Sequence, residues 1–152
     1  MRALIQRAKS GSVSIDGIIK SSIGQGYVIL LGVSKEDDES DVAYLSRKTA
    51  NLRIFSDEQG KLNYSIKDID GELLVISQFT LYADARRGNR PGFEPAASPE
   101  LANKLYEQYI EALRREGLKV QTGVFQADML VNIENDGPVT IMLESPAKGE
   151  KK

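Results

Sequence analysis

Leu73-Leu74-Val75-Ile76-Ser77-Gln78-Phe79-Thr80-Leu81-Tyr82-Ala83-Asp84 is the stretch from which the rest of the chain can be read. Leu73 to Ile76 is a short, partly β-branched apolar run that suits a buried strand. Ser77-Gln78-Phe79-Thr80 then interrupts it with three polar side chains. A polar group buried without a partner costs about 1–3 kcal/mol, so these side chains need partners or a ligand. If the strand continues, alternation puts Ser77 and Phe79 on one face and Gln78 and Thr80 on the other. Two readings stay open: a strand end whose hydroxyls satisfy the following turn, or a polar set that meets a ligand.

Outward from this stretch, periodicity sets the organisation. Residues 2–9 and 12–19 read as strands joined near Gly11, and 27–33 is a continuous apolar run like a central strand. Residues 38–52 carry Val42, Leu45, Thr49 and Leu52 at helical spacing, and 51–65 is short strand and turn punctuated by Gly60. The Gly-, Pro- and Arg-rich segment 83–98 is predicted to be an ordered functional loop, since loops beyond about 12 residues are uncommon without a role. Ser98 as N-cap and Pro99 at the first helical position start a second helix. Its apolar stripe is Leu101, Leu105, Tyr109 and Leu113, and Gly117 ends it. Strands resume at 120–122, 127–133 and 139–143. The chain shows neither internal repeats nor a dividing linker. The expectation is an α+β fold: a mostly antiparallel curved sheet, barrel-like, with two main helices. One domain spans 1–145, followed by a flexible polar tail at 146–152.

At 152 residues, 41% hydrophobic and 28% charged, the composition is that of a globular domain able to bury a core. No apolar run approaches the roughly 20 residues of a membrane span, and no signal segment opens the sequence. A cytoplasmic protein without a membrane partner is expected. The chain has no Cys and no His, which removes disulfides, Ser-His-Asp and Cys-His catalysis and His- or thiolate-bound zinc. Hydrolysis here would use hydroxyls, amides, carboxylates, lysines, backbone donors or the substrate itself. Carboxylates alone can hold Mg²⁺, but the one acidic run, Glu36-Asp37-Asp38-Glu39, precedes a helical pattern where acids favour the positive helix end. It reads as a solvated helix start, and neither metal nor cofactor is expected. A net charge of −2 and a pI near 5.3 argue against a protein that coats long nucleic acid, so no DNA partner is expected. Gripping the end of an RNA stays open. Arg86-Arg87-Gly88-Asn89-Arg90 is either a solvated loop charge or a contact to RNA phosphate.

A second stretch, Asn135-Asp136-Gly137-Pro138-Val139-Thr140, joins two apolar runs with strong turn chemistry. Alone it reads as a hairpin loop. SQFT followed far downstream by NDGPVT, however, resembles the D-aminoacyl-tRNA deacylases, editing enzymes that free tRNA from D-amino acids. The likeness extends through Met1 to Arg7, Leu30-Leu31-Gly32-Val33, Arg53-Ile54-Phe55-Ser56-Asp57, Arg90-Pro91 and Gln121 to Met129, all in family order.

The resemblance implies hydrolysis of the ester between a D-amino acid and the 3′ end of an aminoacylated tRNA. Ser77, Gln78, Phe79 and Thr80 would form the catalytic strand end, offering oxyanion donors. The substrate's own 2′-hydroxyl would take part in the chemistry. Thr80 as a covalent nucleophile is the sharper alternative, with no His or nearby Lys evident to activate it. Phe125 and Met129 would line a pocket for the terminal adenine, although from the residues alone ordinary core packing explains them equally; Ala127 would join them in binding the substrate. Gly137-Pro138 would be cis, reach from one subunit of a homodimer into the other's site and exclude an L side chain. Arg7 would steady that loop, where a surface salt bridge is the plainer reading. Removal of glycine from mischarged tRNA-Ala is left open. The rivals are a non-catalytic module binding the tRNA acceptor end, and an editing module like the N-terminal domain of archaeal threonyl-tRNA synthetases.

Overall fold

In the computed structural model, which describes Met1–Glu150, strand β1 (Arg2–Ile15) is central. Asp16 and Gly17 end it with φ of 51° and 79°, the two-residue hairpin geometry that Asp-Gly adopts readily. The chain returns along β1 as β2 (Ile18–Ile23) and β3 (Gly26–Gly32). β2 pairs with residues 11–15 and β3 with residues 2–8, both antiparallel. The break expected near Gly11 is therefore absent. β1 runs straight through it, and a Cβ there would come within 2.6 Å of Val28 Cγ2. Gly11 is a position of close packing, and the turn belongs to Asp16-Gly17.

Helix α1 (Glu39–Asn51) follows, then the small antiparallel pair β4 (Arg53–Ser56) and β5 (Leu62–Ser65). Asp38 caps α1 by accepting from the Ser40 N–H at 2.9 Å, while Asp41 accepts from the Asp38 N–H at 2.8 Å. The acidic run is thus a helix start, though Asp37 is drawn into the preceding turn, accepting from the Ser34 N–H at 2.6 Å. β6 (Glu72–Ser77) lies parallel to β3, helix α2 (Pro99–Arg115) crosses over, and β7 (Lys119–Thr122) lies parallel to β6. β8 (Leu130–Glu144) pairs antiparallel with β1 along both of its halves. The result is a curled, mixed sheet in which antiparallel pairs predominate, carrying two α-helices among the described residues. The parallel pairings of β6 were not foreseen; they arise because α1 with the β4–β5 pair carries the chain over from β3 to β6, and α2 carries it over from β6 to β7.

β6 is buried on both faces, which explains its unbroken apolar run. Leu73 and Val75 join the core beneath the helices, with Leu45, Leu105, Tyr109 and Leu113. Leu74 and Ile76 join a smaller cluster inside the curl of the sheet, with Val13, Ile23 and Val28. Where the helices meet, Thr49 Oγ1 donates to the Leu45 carbonyl at 2.8 Å and lies 2.8 Å from the Tyr109 hydroxyl. In the C-terminal segment Lys148 Nζ pairs with Asp38 Oδ2 at 3.1 Å and Asp41 Oδ2 at 2.6 Å. Residues 151 and 152 of the expected tail lie outside the described residues. Among the described residues no helix is long and apolar enough to cross a membrane.

Leu105 is 0% exposed at the junction of α2 and the sheet. Leu105→Ala is expected to lower stability by about 2–5 kcal/mol through lost burial and the cavity left behind. Urea denaturation would show it as a lower midpoint at an unchanged slope.

Candidate functional site

β6 delivers its last residue, Ser77, to the edge of a cleft of about 610 Å³. A short 3-10 turn, Phe79–Tyr82, starts two residues on. The alternation expected across Ser77–Thr80 consequently stops at the strand end, and Ser77, Gln78 and Phe79 all line the same cleft. The Gln78 N–H donates to the Leu31 carbonyl at 2.8 Å, extending the β3 pairing by one residue and fixing where the turn begins. Thr80 is adjacent but does not line the cleft; its hydroxyl accepts from the Gln78 side-chain amide.

The facing wall comes from residues 125–129. Phe125, Ala127 and Met129 all line the cleft and are half-buried. Phe125 also packs against the main core, so this ring both fills the core edge and faces the cleft. Its ring lies 6.2 Å from that of Tyr106, whose hydroxyl donates to the Val75 carbonyl at 2.8 Å. Burial pushes the Tyr106 phenol up to about 12, so it is a neutral, structural donor beneath the site. The Val124 N–H lies 3.4 Å from Met129 Sδ, which helps hold the thioether in place. Pro99 and Ala102, from the start of α2, close a third side.

Phe93 also lines the cleft, its ring 4.9 Å from that of Phe79. Sequence reading did not single it out. The available signal was an aromatic residue standing inside a polar loop, away from any periodic core pattern.

Gly137, Pro138 and Arg7 do not line this cleft; they form a second cluster. Gln6 pairs with Thr140 and Ala8 with Asn135, so Arg7 alone stands opposite Asp136–Val139. The hairpin expected here is absent, because both flanking runs belong to β8 and the motif bulges from one continuous strand. Asn135 braces the bulge: its Oδ1 accepts from the Val139 N–H at 3.0 Å and its Nδ2 donates to Thr140 Oγ1 at 3.1 Å. The Gly137-Pro138 peptide bond is cis and Gly137 has φ 123°, a region closed to most side chains. A Cβ on Gly137 would lie 2.8 Å from Val139 Cγ2 and 2.9 Å from Arg7 Nη2.

Arg7 is no surface residue. It is 9% exposed, with Nε donating to the Asp136 carbonyl at 3.1 Å and Nη1 to the Ile54 carbonyl at 2.9 Å. The Asp136 carboxylate lies 3.6 Å from Nε. Gly137 and Pro138 themselves are exposed. Among the described residues no group of three or more Asp, Glu, His or Cys is placed to hold a metal ion.

A family profile described as D-Tyr-tRNA(Tyr) deacylase matches residues 4–144. The chain belongs to this family. It is 58% identical over 149 residues to a protein of Chlorobaculum tepidum named D-aminoacyl-tRNA deacylase, covering 97% of this chain and 99% of that one. A solved structure titled c-Myc DNA Unwinding Element Binding Protein is 44% identical, with a TM-score of 0.91 and coverage of 97% and 100%. A structure titled as that of a probable eukaryotic D-amino acid tRNA deacylase is only 16% identical yet has a TM-score of 0.80, over 95% of this chain and 98% of that one. That last likeness establishes a shared fold.

The Arg7 geometry yields a stability test. Arg7→Leu leaves the buried Ile54 carbonyl without its donor, and an orphaned acceptor of this kind costs about 1–3 kcal/mol. Chemical denaturation is expected to show a loss in that range; an unchanged midpoint would mean that Arg7 does not fasten the bulge.

Proposed function

We propose that this chain hydrolyses the ester joining a D-amino acid to the 3′-terminal ribose of tRNA, in the cytoplasm, as a homodimer and without a metal or other cofactor. The observation that carries this reading is the cleft in which Ser77, Gln78 and Phe79 meet Phe125, Ala127 and Met129, in a chain with neither His nor Cys. Membership of the deacylase family supports the reaction, as does the name of the Chlorobaculum relative.

Water adds to the ester carbonyl carbon, the bond from that carbon to the ribose 3′-oxygen breaks, and a proton from water ends on that oxygen. Free D-amino acid and tRNA are released. An aminoacyl ester is already activated, so positioning and oxyanion stabilisation carry most of the demand. The first N–H groups of a helical turn have no acceptor inside it, and that of Phe79, which lines the cleft, serves as the oxyanion donor. The substrate's 2′-hydroxyl orients the water, a role for which this chain offers no imidazole. Phe125 and Met129 pack the terminal adenine against an aromatic face and a thioether. Thr80 orients Gln78 rather than attacking, in keeping with its hydroxyl lying outside the cleft lining.

The exposed Gly137-Pro138 bulge acts in the partner subunit's cleft. Its carbonyls stand against the α-carbon of the bound amino acid and leave no room for an L side chain. Such a filter recognises the absence of a side chain on one side, so glycine also passes it.

Purified protein is expected to release D-tyrosine from D-tyrosyl-tRNA, to leave L-tyrosyl-tRNA intact and to retain its rate in EDTA with the tRNA folded. Equal release of both enantiomers, or binding without turnover, would instead favour an acceptor-end binding module. Gly137→Ala is expected to slow D-tyrosyl-tRNA hydrolysis by about 10²-fold, as a displacement of about 1 Å at a reacting centre can. Gel filtration should still show a dimer. A folded Gly137→Ala dimer with unchanged rate and selectivity would remove the chiral role from the bulge.

A further inference from the structure

The loop that follows the 3-10 turn is closed at its neck and open at its tip. Asp84 and Gly92 exchange backbone hydrogen bonds, the Asp84 N–H to the Gly92 carbonyl at 2.7 Å and the Gly92 N–H to the Asp84 carbonyl at 2.8 Å. Arg86 is committed to this neck, its Nε 2.9 Å from Asp84 Oδ1 and its Nη2 2.8 Å from Oδ2. The pairing holds the Asp84 carboxyl down at about 2.

Arg87 and Arg90 are different. Both are exposed, and among the described residues neither has an acidic partner. On a chain of net charge −2, two uncommitted guanidiniums on a pinned loop form a local positive patch.

The neck leads directly into Phe93. Phe93 is 37% exposed and Phe79 55%, and their rings meet at 4.9 Å with planes 59° apart. Two aromatic rings left this open at the rim of a cleft expose apolar surface that water disfavours. Arg90 and Phe93 are three positions apart, so their Cα atoms lie within about 11 Å. One extended strand can touch both. Exposed aromatic faces beside arginines are what unpaired nucleotides bind, the bases stacking and the phosphates meeting the guanidiniums.

We propose that the Phe79–Phe93 pair and the Arg87 and Arg90 guanidiniums form the entry track for the single-stranded 3′ end of the RNA. The nucleotide before the terminal adenosine stacks on the exposed aromatic pair, and Arg87 and Arg90 take the phosphates upstream of it. This deepens the deacylase reading and rests on it. It accounts for how an acidic protein holds tRNA by its end, and it gives the loop a part distinct from the chemistry at Ser77–Thr80.

The test compares two substrates and one binding curve. D-tyrosyl-tRNA presents the whole strand, whereas the D-tyrosyl ester of adenosine presents only the terminal nucleoside. The Arg87→Gln/Arg90→Gln double variant is expected to lose about tenfold or more in kcat/KM on D-tyrosyl-tRNA, the size of effect that removing two charge-assisted phosphate contacts produces. Its rate on the adenosine ester should stay unchanged. Binding of an uncharged single-stranded RNA ending in CCA should show a salt dependence whose log–log slope falls by about 0.7 for each phosphate contact removed. Phe93→Ala should weaken that binding by about tenfold at fixed salt while leaving the slope intact, as lost stacking does.

Equal losses by the double variant on tRNA and ester would mark the arginines as structural and overturn the proposal. So would a double variant whose salt slope matches the wild type. The two readings fail separately: a wild type that hydrolyses neither substrate, yet loses its salt slope in the double variant, sinks the deacylase assignment while the entry track stands.

Discussion

Every working part of this molecule is referred to β1, a strand hydrogen-bonded along both of its edges. One edge carries β2 and β3 in sequence, the other carries β8 over its whole length. A strand fixed on both sides cannot slip by one residue without turning its side chains to the wrong face. Arg7 is thereby held at one position, facing the one place where β8 has more residues than β1 can pair. The surplus becomes the Asp136–Val139 bulge, and the guanidinium ties it to the Ile54 carbonyl. β3 passes the same register to β6, whose end sets where Ser77 emerges.

The cleft and the bulge are therefore two outputs of one sheet, on different strands and with no residue in common. The cleft combines rigid and local elements: a strand end, a 3-10 turn fastened to Leu31, and the start of a capped helix. Its lining sets the polar Ser77 and Gln78 against apolar faces, with Tyr106 kept neutral beneath it. The bulge stands outside that cleft, its exposed glycine and proline following the Asp136 carbonyl that Arg7 holds.

Much of this was legible in the sequence, and the misses have definite physical causes. α2 was readable because its cap, Pro99 and apolar stripe agree, and Leu105, Tyr109 and Leu113 are all buried as that stripe requires. The strand interruption at Ser77 pointed to the cleft because buried hydroxyls and amides need a reason. The hairpin near Gly11 was misplaced because glycine signals both a turn and a close contact; Asp16-Gly17 was the stronger cue, since both positions require positive φ. NDGPVT looked like a reversal for a similar reason: turn chemistry in the sequence does not say whether the chain comes back or merely bows outward. The Ile54 carbonyl could not have been foreseen at all, because a backbone acceptor leaves no mark in the side-chain alphabet.

The bulge also shapes how the molecule behaves toward its neighbours in a crowded solution. β8 is 15 residues long and pairs with β1 as its only strand partner among the described residues. A strand so long, with one side of its backbone open, would invite stray strands to extend the sheet into aggregates. Pro138 brings no N–H to such a ladder, and the bow at 136–139 throws the flanking segments out of line. What remains for an intruding strand is two short stretches with mismatched register. The same bulge, with Gly137 and Pro138 at its exposed tip, thus keeps the open margin of the sheet from becoming a template for aggregation.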